Sequence, residues 1–402
     1  MNRTRLLQEI RMMRFEEAYT SWQEKRLTQE EAARLLGVCE RTFRRHIDRF
    51  EEAGLEGLID RRIEEVSHRK APVDEVVRLE ALYKETYSSW NVKHFYERYQ
   101  NSHQGERSYT WVKKRLQAAG LAEHGRRQGR HRKERPRKPL EGMMIHQDGS
   151  THQWVPGTIW DLIVTMDDAT STVYCGFFVE QEGTLSSLQG VMETIAAKGL
   201  FSSFYSDRGS HYWFTPKVDG SVDKRVLTQF GRAMSHLGIE MIPAYSPQAR
   251  GRSERLFKTL QGRLPNELAL AGITDMAAAN AYLQDEYWLR FNATFAVSAA
   301  ESGSAFVPVM GVDIKEILCL QEARTVRADN CVAYRGKTLQ IPAQKHRCHF
   351  VKVKVRVHEY PDQSLSIFHG PRCLARYTKG GELVEPVSKV EEPAKAPRKR
   401  AA

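Results

Sequence analysis

The chain has no apolar run near the ~20 residues that a membrane helix needs, and its first residues carry no signal-like apolar stretch. The expected setting is therefore the cytosol, away from a membrane. Its six cysteines, Cys39, Cys175, Cys319, Cys331, Cys348 and Cys373, are scattered and form no Cys-x-x-Cys pair. That excludes a disulfide framework and a strong zinc site. His346, Cys348 and His349 lie close in sequence, but Cys348-His-Phe-Val-Lys-Val-Lys-Val reads better as a strand than as a metal site. Acids are in deficit, 50 against 61 Lys and Arg, for a formal charge of +11. A surplus of that sign points to a polyanionic partner. The 402 residues leave room for roughly two to four domains.

What is present begins with helices. Thr28 can cap a helix and Glu31 close a capping box, with Ala32, Leu35 and Leu36 as the apolar face. Gly37 permits a tight turn, and a second helix starts near Cys39 with Phe43, Ile47 and Phe50 inward. Arg41, Arg44, Arg45 and Arg49 are then left on the outside. A short helix, a glycine turn and a basic second helix form the helix-turn-helix pattern, whose second helix enters a major groove.

A second helical block is expected from about Val73 to Leu121. Its first helix is marked by Val76, Leu79, Leu82 and Tyr83, and its second by Val92, Phe95, Tyr96 and Tyr99. The third runs through Tyr109–Leu121, with Thr110 as cap, Trp111, Val112 and Leu116 inward, and Lys113, Lys114 and Arg115 outward. This resembles a second helix-turn-helix module. The next stretch carries Arg126, Arg127, Arg130, Arg132, Lys133, Arg135, Arg137 and Lys138 against Glu123 and Glu134, with Pro136 and Pro139. It cannot pack a core, and its single sign suits a linker lying on a phosphate backbone.

From Gly142 the pattern turns to α/β. Expected strands are Met143 to His146, ending at Asp148, then Ile159–Met166 and Val173–Val179, with Asp167-Asp168 as a hairpin turn. A helix over Thr184–Lys198, a strand over Phe201–Tyr205 ending at Asp207, a helix over Lys224–Leu237 and a strand over Glu240–Pro243 follow. Further helices begin near Arg252 and at Ile273. Leu256, Phe257, Leu260 and Leu264 mark the buried side of the first of these, so Glu254, Lys258 and Gln261 share another face.

Three hairpin-like strands followed by alternating helices and strands is the order of the ribonuclease-H-like fold, in which the first and fourth strands are neighbours. Asp148 and Asp207 would then approach one another and Glu254 would face both. Carboxylates brought that close repel unless cations lie between them. Their chemical use is to hold divalent ions for in-line displacement at phosphorus.

Three segments carry a resemblance to a family. They are Met144-Ile-His-Gln-Asp148-Gly, Ser206-Asp207-Arg208-Gly209-Ser210 and Ser246-Pro247-Gln248-Ala249-Arg250-Gly251-Arg252-Ser253-Glu254. They resemble the motifs of DDE transposases and retroviral integrases, and the whole chain resembles bacterial insertion-sequence transposases of the ISNCY-like group. The resemblance implies Asp148, Asp207 and Glu254 as catalytic residues and metal ligands, for two Mg²⁺ ions with Mn²⁺ able to substitute. It also implies cleavage at terminal inverted repeats, transfer of the new 3′ hydroxyl to target DNA, and a homodimer or higher oligomer on double-stranded DNA. The interval before Glu254 is longer than integrases usually show, so Trp213 to Asp223 is expected as an extra loop. Arg252-Ser253 replaces the small apolar residues often found there, adding charge that DNA could use alongside Lys258.

Beyond Phe306, short alternating stretches suggest a small β-barrel. Within Val351-Lys-Val-Lys-Val-Arg-Val the valines face inward, leaving Lys352, Lys354 and Arg356 in an outer row that could meet DNA. The tail from Glu382 is rich in Pro and charge and is expected to be disordered. The organisation is thus tandem all-α helix-turn-helix modules at 1–64 and 65–121 and a basic linker at 122–141. An α/β mixed-sheet core at 142–300, a β-barrel at 301–380 and a tail at 381–402 complete it.

Overall fold

The computed structural model describes residues 3–60, 71–124, 135–217, 220–245, 251–344 and 347–384. It divides into two compact units, Met1–Glu85 and Thr86–Ala402. Among the described residues no helix is long and apolar enough to cross a membrane.

In the first unit α1 (Arg3–Gln23), α2 (Gln29–Leu35) and α3 (Glu40–Ala53) precede a short 3₁₀ turn, and α4 (Val73–Thr86) follows. The α2 start is as expected: Thr28 accepts from the Glu31 N–H while the Glu31 carboxylate takes the Thr28 N–H at 2.8 Å. Gly37 has φ +67° in the turn, a left-handed conformation that disfavours a side chain. Phe15 and Ala18 of α1 pack with Ala32, Ala33, Phe43 and Ile47 in one small core. Leu35, expected inward, is exposed, and Ala33 takes its place.

The second unit opens with α5 (Val92–His103) and α6 (Tyr109–Ala118), capped by Asn91 and Ser108. Thr110, the expected cap, is already inside α6. Then come β1 (Ile145–Val155), β2 (Thr158–Asp167), β3 (Val173–Val179), α7 (Thr184–Lys198), β4 (Ser203–Ser206), α8 (Gln229–His236) and β5 (Glu240–Pro243). The helices α9 (Gly251–Gln261), α10 (Leu264–Leu270), α11 (Met276–Tyr282) and α12 (Trp288–Phe295) follow.

The five strands form one mixed sheet in the order β3-β2-β1-β4-β5. The hairpin strands β1, β2 and β3 are antiparallel, whereas β4 pairs parallel with both β1 and β5. The pairing of the first strand with the fourth is the one anticipated from the element order. One face carries Trp160, Leu162, Val164 and Met166 of β2 against Phe257, Leu260 and Leu264 near α9. The other carries Ile145 and Phe204 against Leu188, Val191, Phe230 and Met234 of α7 and α8. Burial on both faces, at about 25 cal/mol per Å² of apolar area, makes this sheet the stable platform for whatever stands on its edges.

Strand β1 does not stop at Asp148. It continues to Val155, paired with β2 through Asp148↔Val164, Ser150↔Leu162 and His152↔Trp160. The residues Gly149-Ser150-Thr151 look like turn chemistry, but alternation resumes beyond them and brings Trp154 into the core, its Nε1–H donating to the Trp160 carbonyl at 3.0 Å. Among the described residues, the stretch expected as an extra loop carries no helix or strand, and it is anchored near its two ends. Tyr212, Trp213 and Val222 are buried in the α7–α8 core, and the Asp223 N–H closes back on the Phe214 carbonyl at 2.9 Å. Consequently α8 begins at Gln229 rather than Lys224.

A buried charge network joins α5 to α10. Glu267 accepts from His94 at 2.7 Å and from Tyr282 at 3.0 Å, and pairs with Arg98, while Arg263 reaches Glu97 at 2.6 Å.

After α13 (Ile314–Ile317) come β6 (Leu320–Thr325), β7 (Cys331–Tyr334), β8 (Lys337–Gln340), β9 (Lys354–Glu359), β10 (Leu365–His369), β11 (Arg372–Tyr377) and β12 (Leu383–Val384). Among the described residues they do not close into a barrel. They form a five-stranded sheet, β12-β11-β10-β9-β6, and a separate β7-β8 hairpin. The hairpin contributes Val332, Tyr334 and Leu339 to the core made by Val355, Val357, Leu365 and Ile367. Side-chain packing thus achieves the burial that ladder closure would otherwise provide. The tail beyond Val384 lies outside the described residues, as does His346 of the Cys348 neighbourhood; Cys348 itself precedes β9 instead of lying within it.

Candidate active site

Strands β1 and β4 run side by side with Ile145 opposite Phe204 and His146 opposite Tyr205. From there β1 runs on through Asp148, and Asp207 follows directly after the last residue of β4. Asp148 is buried and Asp207 half-buried at the end of β4. The Gly209 N–H donates to Asp207 Oδ1 at 2.9 Å, fixing the carboxylate over the turn that leaves the strand. Ser206 steadies the same turn, accepting from Trp213 Nε1–H at 3.0 Å and donating to the Asp207 carbonyl at 2.9 Å.

Tyr212 lies within electrostatic reach of these acids. Its phenol is fully buried, donates to Gln147 Oε1 at 3.0 Å and accepts from Ser187 at 3.1 Å. Burial, then the charges of Glu182, Asp148 and Asp207, push it well above the ordinary tyrosine value, so it remains a neutral donor. Glu182 was not anticipated from the sequence. A Cβ at Gly149 would lie 2.2 Å from Glu182 Oε2, so the glycine beside Asp148 makes room for this further carboxylate. His211 stands on its other side, Nε2 to Glu182 Oε1 at 3.4 Å.

Glu254 lies in the first turn of α9 and is exposed. The same helical face carries Gln261, whose amide donates to Ser150 Oγ at 3.0 Å. Ser150 and Asp148 alternate onto one side of β1, and this contact draws the same face of α9 toward that side. The donor chemistry of the three carboxylates fits a hard divalent cation such as Mg²⁺ or Mn²⁺. Among the described residues, however, no three His, Cys, Asp or Glu side chains are gathered closely enough to hold one ion together. Mutual repulsion of the anions opposes such gathering.

Directly below the acids sits a group whose role the sequence did not disclose. Asp168, expected in a plain hairpin turn, is 0% exposed. Its Oδ1 takes His146 Nε2 at 2.7 Å and pairs with both Arg135 and Arg252, while Oδ2 accepts the Lys138 N–H at 2.8 Å. Burial alone would raise its carboxyl, but His146, the Lys138 N–H and Arg135 together hold it far below the usual range. Burial, with Arg135 and Arg252 nearby, lowers His146, which is therefore a neutral donor at pH 7. Arg137 adds bonds to the Asp168 carbonyl at 2.9 Å and Ser171 Oγ at 2.8 Å. Asp167 is buried too, accepting from Gly142 at 2.9 Å and Thr170 at 2.8 Å.

Comparison with known proteins now bears on these features. The winged helix-turn helix family matches residues 22–75. The chain is 29% identical over 348 residues to y4bF of Sinorhizobium fredii, named as a transposase, covering 85% of this chain and 75% of that protein. It is 35% identical over 162 residues to the transposase for insertion sequence IS1202 of Streptococcus pneumoniae, covering 40% of this chain and 34% of that one. The chain resembles the transposases of insertion sequences. Among solved structures it is similar, at 13% identity and a TM-score of 0.33, to a simian T-cell lymphotropic virus intasome in complex with a PP2A regulatory subunit. That match covers 69% of this chain and 91% of the other, and is too loose to bear on function.

For a transposase-like chain the placement of the basic residues matters. Arg41, Arg44, Arg45 and Arg49 are all exposed on α3, opposite buried Phe43 and Ile47. Lys114 of α6 is exposed and Lys113 half-buried. Lys258 is exposed on α9, as are Lys352 before β9 and Lys354 and Arg356 on it. Arg126, Arg127, Arg130, Arg132 and Lys133 lie outside the described residues. Arg252 differs from the expectation of a DNA contact: its side chain, 19% exposed, is turned onto Asp168, and its Nη2 donates to the Arg135 carbonyl at 2.6 Å. Arg135 and Arg137 likewise anchor the end of the basic stretch to the core.

Proposed function

We propose that this protein is a DDE-type DNA transposase, which binds the terminal inverted repeats of an insertion sequence, cleaves there and joins the freed 3′ hydroxyl to target DNA. The observation that supports this reading is the parallel β1–β4 pairing, Ile145↔Phe204 and His146↔Tyr205, on two strands that run on toward Asp148 and Asp207, with Glu254 in the first turn of α9. Similarity to one protein named as a transposase, over 85% of this chain, supports the same reading.

In this account Asp148, Asp207 and Glu254 hold divalent cations, Mg²⁺ or Mn²⁺, with Glu254 closing on the two aspartates. When bound there, the ions supply activation of the attacking oxygen and stabilisation of the leaving one. The chain's own residues do the rest. The Gly209 N–H keeps the Asp207 carboxylate in its rotamer. Neutral Tyr212 and Gln147 form a fixed floor that does not compete for protons. Lys258, one turn beyond Glu254 and exposed, is placed to meet a phosphate of the bound strand. Arg41, Arg44, Arg45 and Arg49 engage the repeat duplex, with Lys113, Lys114, Lys352 and Lys354 adding backbone contacts. Two ends must be joined in concert, so the acting species is a dimer or larger on DNA.

The test supplies duplexes carrying candidate element ends, a supercoiled target and Mg²⁺ or Mn²⁺, and resolves the products. Joined end–target molecules are expected; nicks without joined products would reduce the protein to a nuclease, and no metal-dependent product would remove the enzymatic reading.

A further inference from the structure

Three segments far apart in the chain meet at one buried oxygen. Asp168 Oδ1 receives His146 from β1, two residues before Asp148, Arg252 from the first turn of α9, two residues before Glu254, and Arg135 from the end of the basic stretch. Arg252 has a second bond, from Nη2 to the Arg135 carbonyl at 2.6 Å. At the far end of α9, Gln261 is tied to Ser150 of the same strand. The helix is thus pinned at two points, to Ser150 of β1 and to Asp168 just past β2, a fully buried carboxylate that also holds His146 of β1.

A guanidinium that binds one anion and one carbonyl through two nitrogens fixes orientation as well as distance, which a lysine cannot reproduce. The first turn of a helix otherwise lacks intrahelical partners for its N–H groups and frays readily. Removing the pin would therefore loosen the segment that carries Glu254 while leaving Phe257 and Leu260 packed in the core.

We propose that Asp168 is a positioning residue which, through Arg252 and His146, locks the first turn of α9 to β1 and so sets Glu254 against Asp148. This deepens the reading of the site given above and rests on it for the role of Glu254. Arg252 accordingly serves the acid from below and makes no contact with DNA.

The decisive variant is Arg252→Gln, because Asp168 keeps His146, Arg135 and the Lys138 N–H and remains satisfied. Hydrogen exchange read by mass spectrometry should accelerate about tenfold or more in the 251–256 segment, with the end of α9 unchanged. End cleavage should lose about tenfold or more in kcat, with KM for the end duplex within about twofold of wild type. Arg252→Lys should fall between the two, and Asp168→Asn, followed alongside its melting curve, should reproduce or exceed the glutamine variant. Unchanged exchange in Arg252→Gln overturns the lock, whether or not the protein cleaves DNA. Faster exchange with unchanged kcat overturns the link to Glu254, and a rise in KM alone returns Arg252 to the DNA surface. If wild type shows no metal-dependent cleavage that Asp207→Asn abolishes, the reading of the site fails, while the exchange result still decides the lock.

Discussion

His146 and Tyr205 stand opposite each other in the parallel β1–β4 register, their rings 4.8 Å apart, and each precedes an acid of the site by two residues. From this pair the two strands run on toward those acids. Arg135 lies over the Tyr205 ring at 5.5 Å and His146 donates a hydrogen bond to Asp168 at 2.7 Å, so the groups beneath these strands are aromatic, cationic and buried at once.

The basic face of α3 should dominate DNA affinity through phosphate contacts. Replacing Arg41, Arg44 and Arg45 with alanine is expected to weaken duplex binding and reduce the slope of log K against log salt by about 0.9 for each lost phosphate contact. Binding measured across a salt series checks this. A slope identical to wild type would show that these arginines face solvent only.

The Glu267 network gives the second unit an acid-sensitive joint. Burial opposes ionisation, but hydrogen bonds from His94 and Arg98 and the Arg98 charge outweigh it and pull the carboxyl down to about 2 from an ordinary 4.5. A folded value below the unfolded one contributes stability that is present above about pH 4.5 and is lost as pH falls toward 2, on the order of 3 kcal/mol. Denaturant unfolding at stepped pH should show this loss, and Glu267→Gln should remove most of that pH dependence. It should also lower stability near neutrality, since Arg98 and Arg290 would face a neutral amide.

Gly176 of β3 lies under the Trp288 ring: an added Cβ would meet Cζ2 at 2.3 Å, and the Trp288 Nε1–H already donates to the Gly176 carbonyl at 2.8 Å. Gly176→Ala should therefore destabilise by about 1–3 kcal/mol, since an indole cannot swing aside in a packed core. Gly149→Ala offers the contrast. There the obstacle is the flexible end of Glu182, so stability should hardly change while the carboxylate moves. Melting temperatures of the two variants, measured side by side, test the difference.

Much of this architecture was legible because it is local. The Thr28–Glu31 capping box, α7, β3 and β5 follow from spacing within a few residues, and the β1–β4 adjacency followed from element order. Asp168 was illegible because its partners, Arg135, His146 and Arg252, come from three separate stretches and nothing in Asp167-Asp168 distinguishes a buried hub from a turn. Glu182 was hidden for a similar reason: only the contact over Gly149 brings it to the aspartates. The run of β1 past Asp148 was masked by Gly149-Ser150-Thr151, whose composition suits a turn but whose alternation serves a strand. Closure of the carboxyl-terminal sheet depends on which edges pair, and alternating valines do not encode that.

We propose that Asp148, Asp207 and Glu254 act as one metal-dependent unit. This is tested most directly by strand transfer with element-end DNA and Mg²⁺ or Mn²⁺, comparing wild type with Asp148→Asn, Asp207→Asn and Glu254→Gln at matched folded concentration and duplex affinity. Each variant is predicted to lose joined product by about a thousandfold or more. Joined product persisting near the wild-type level in any one of the three would contradict the claim.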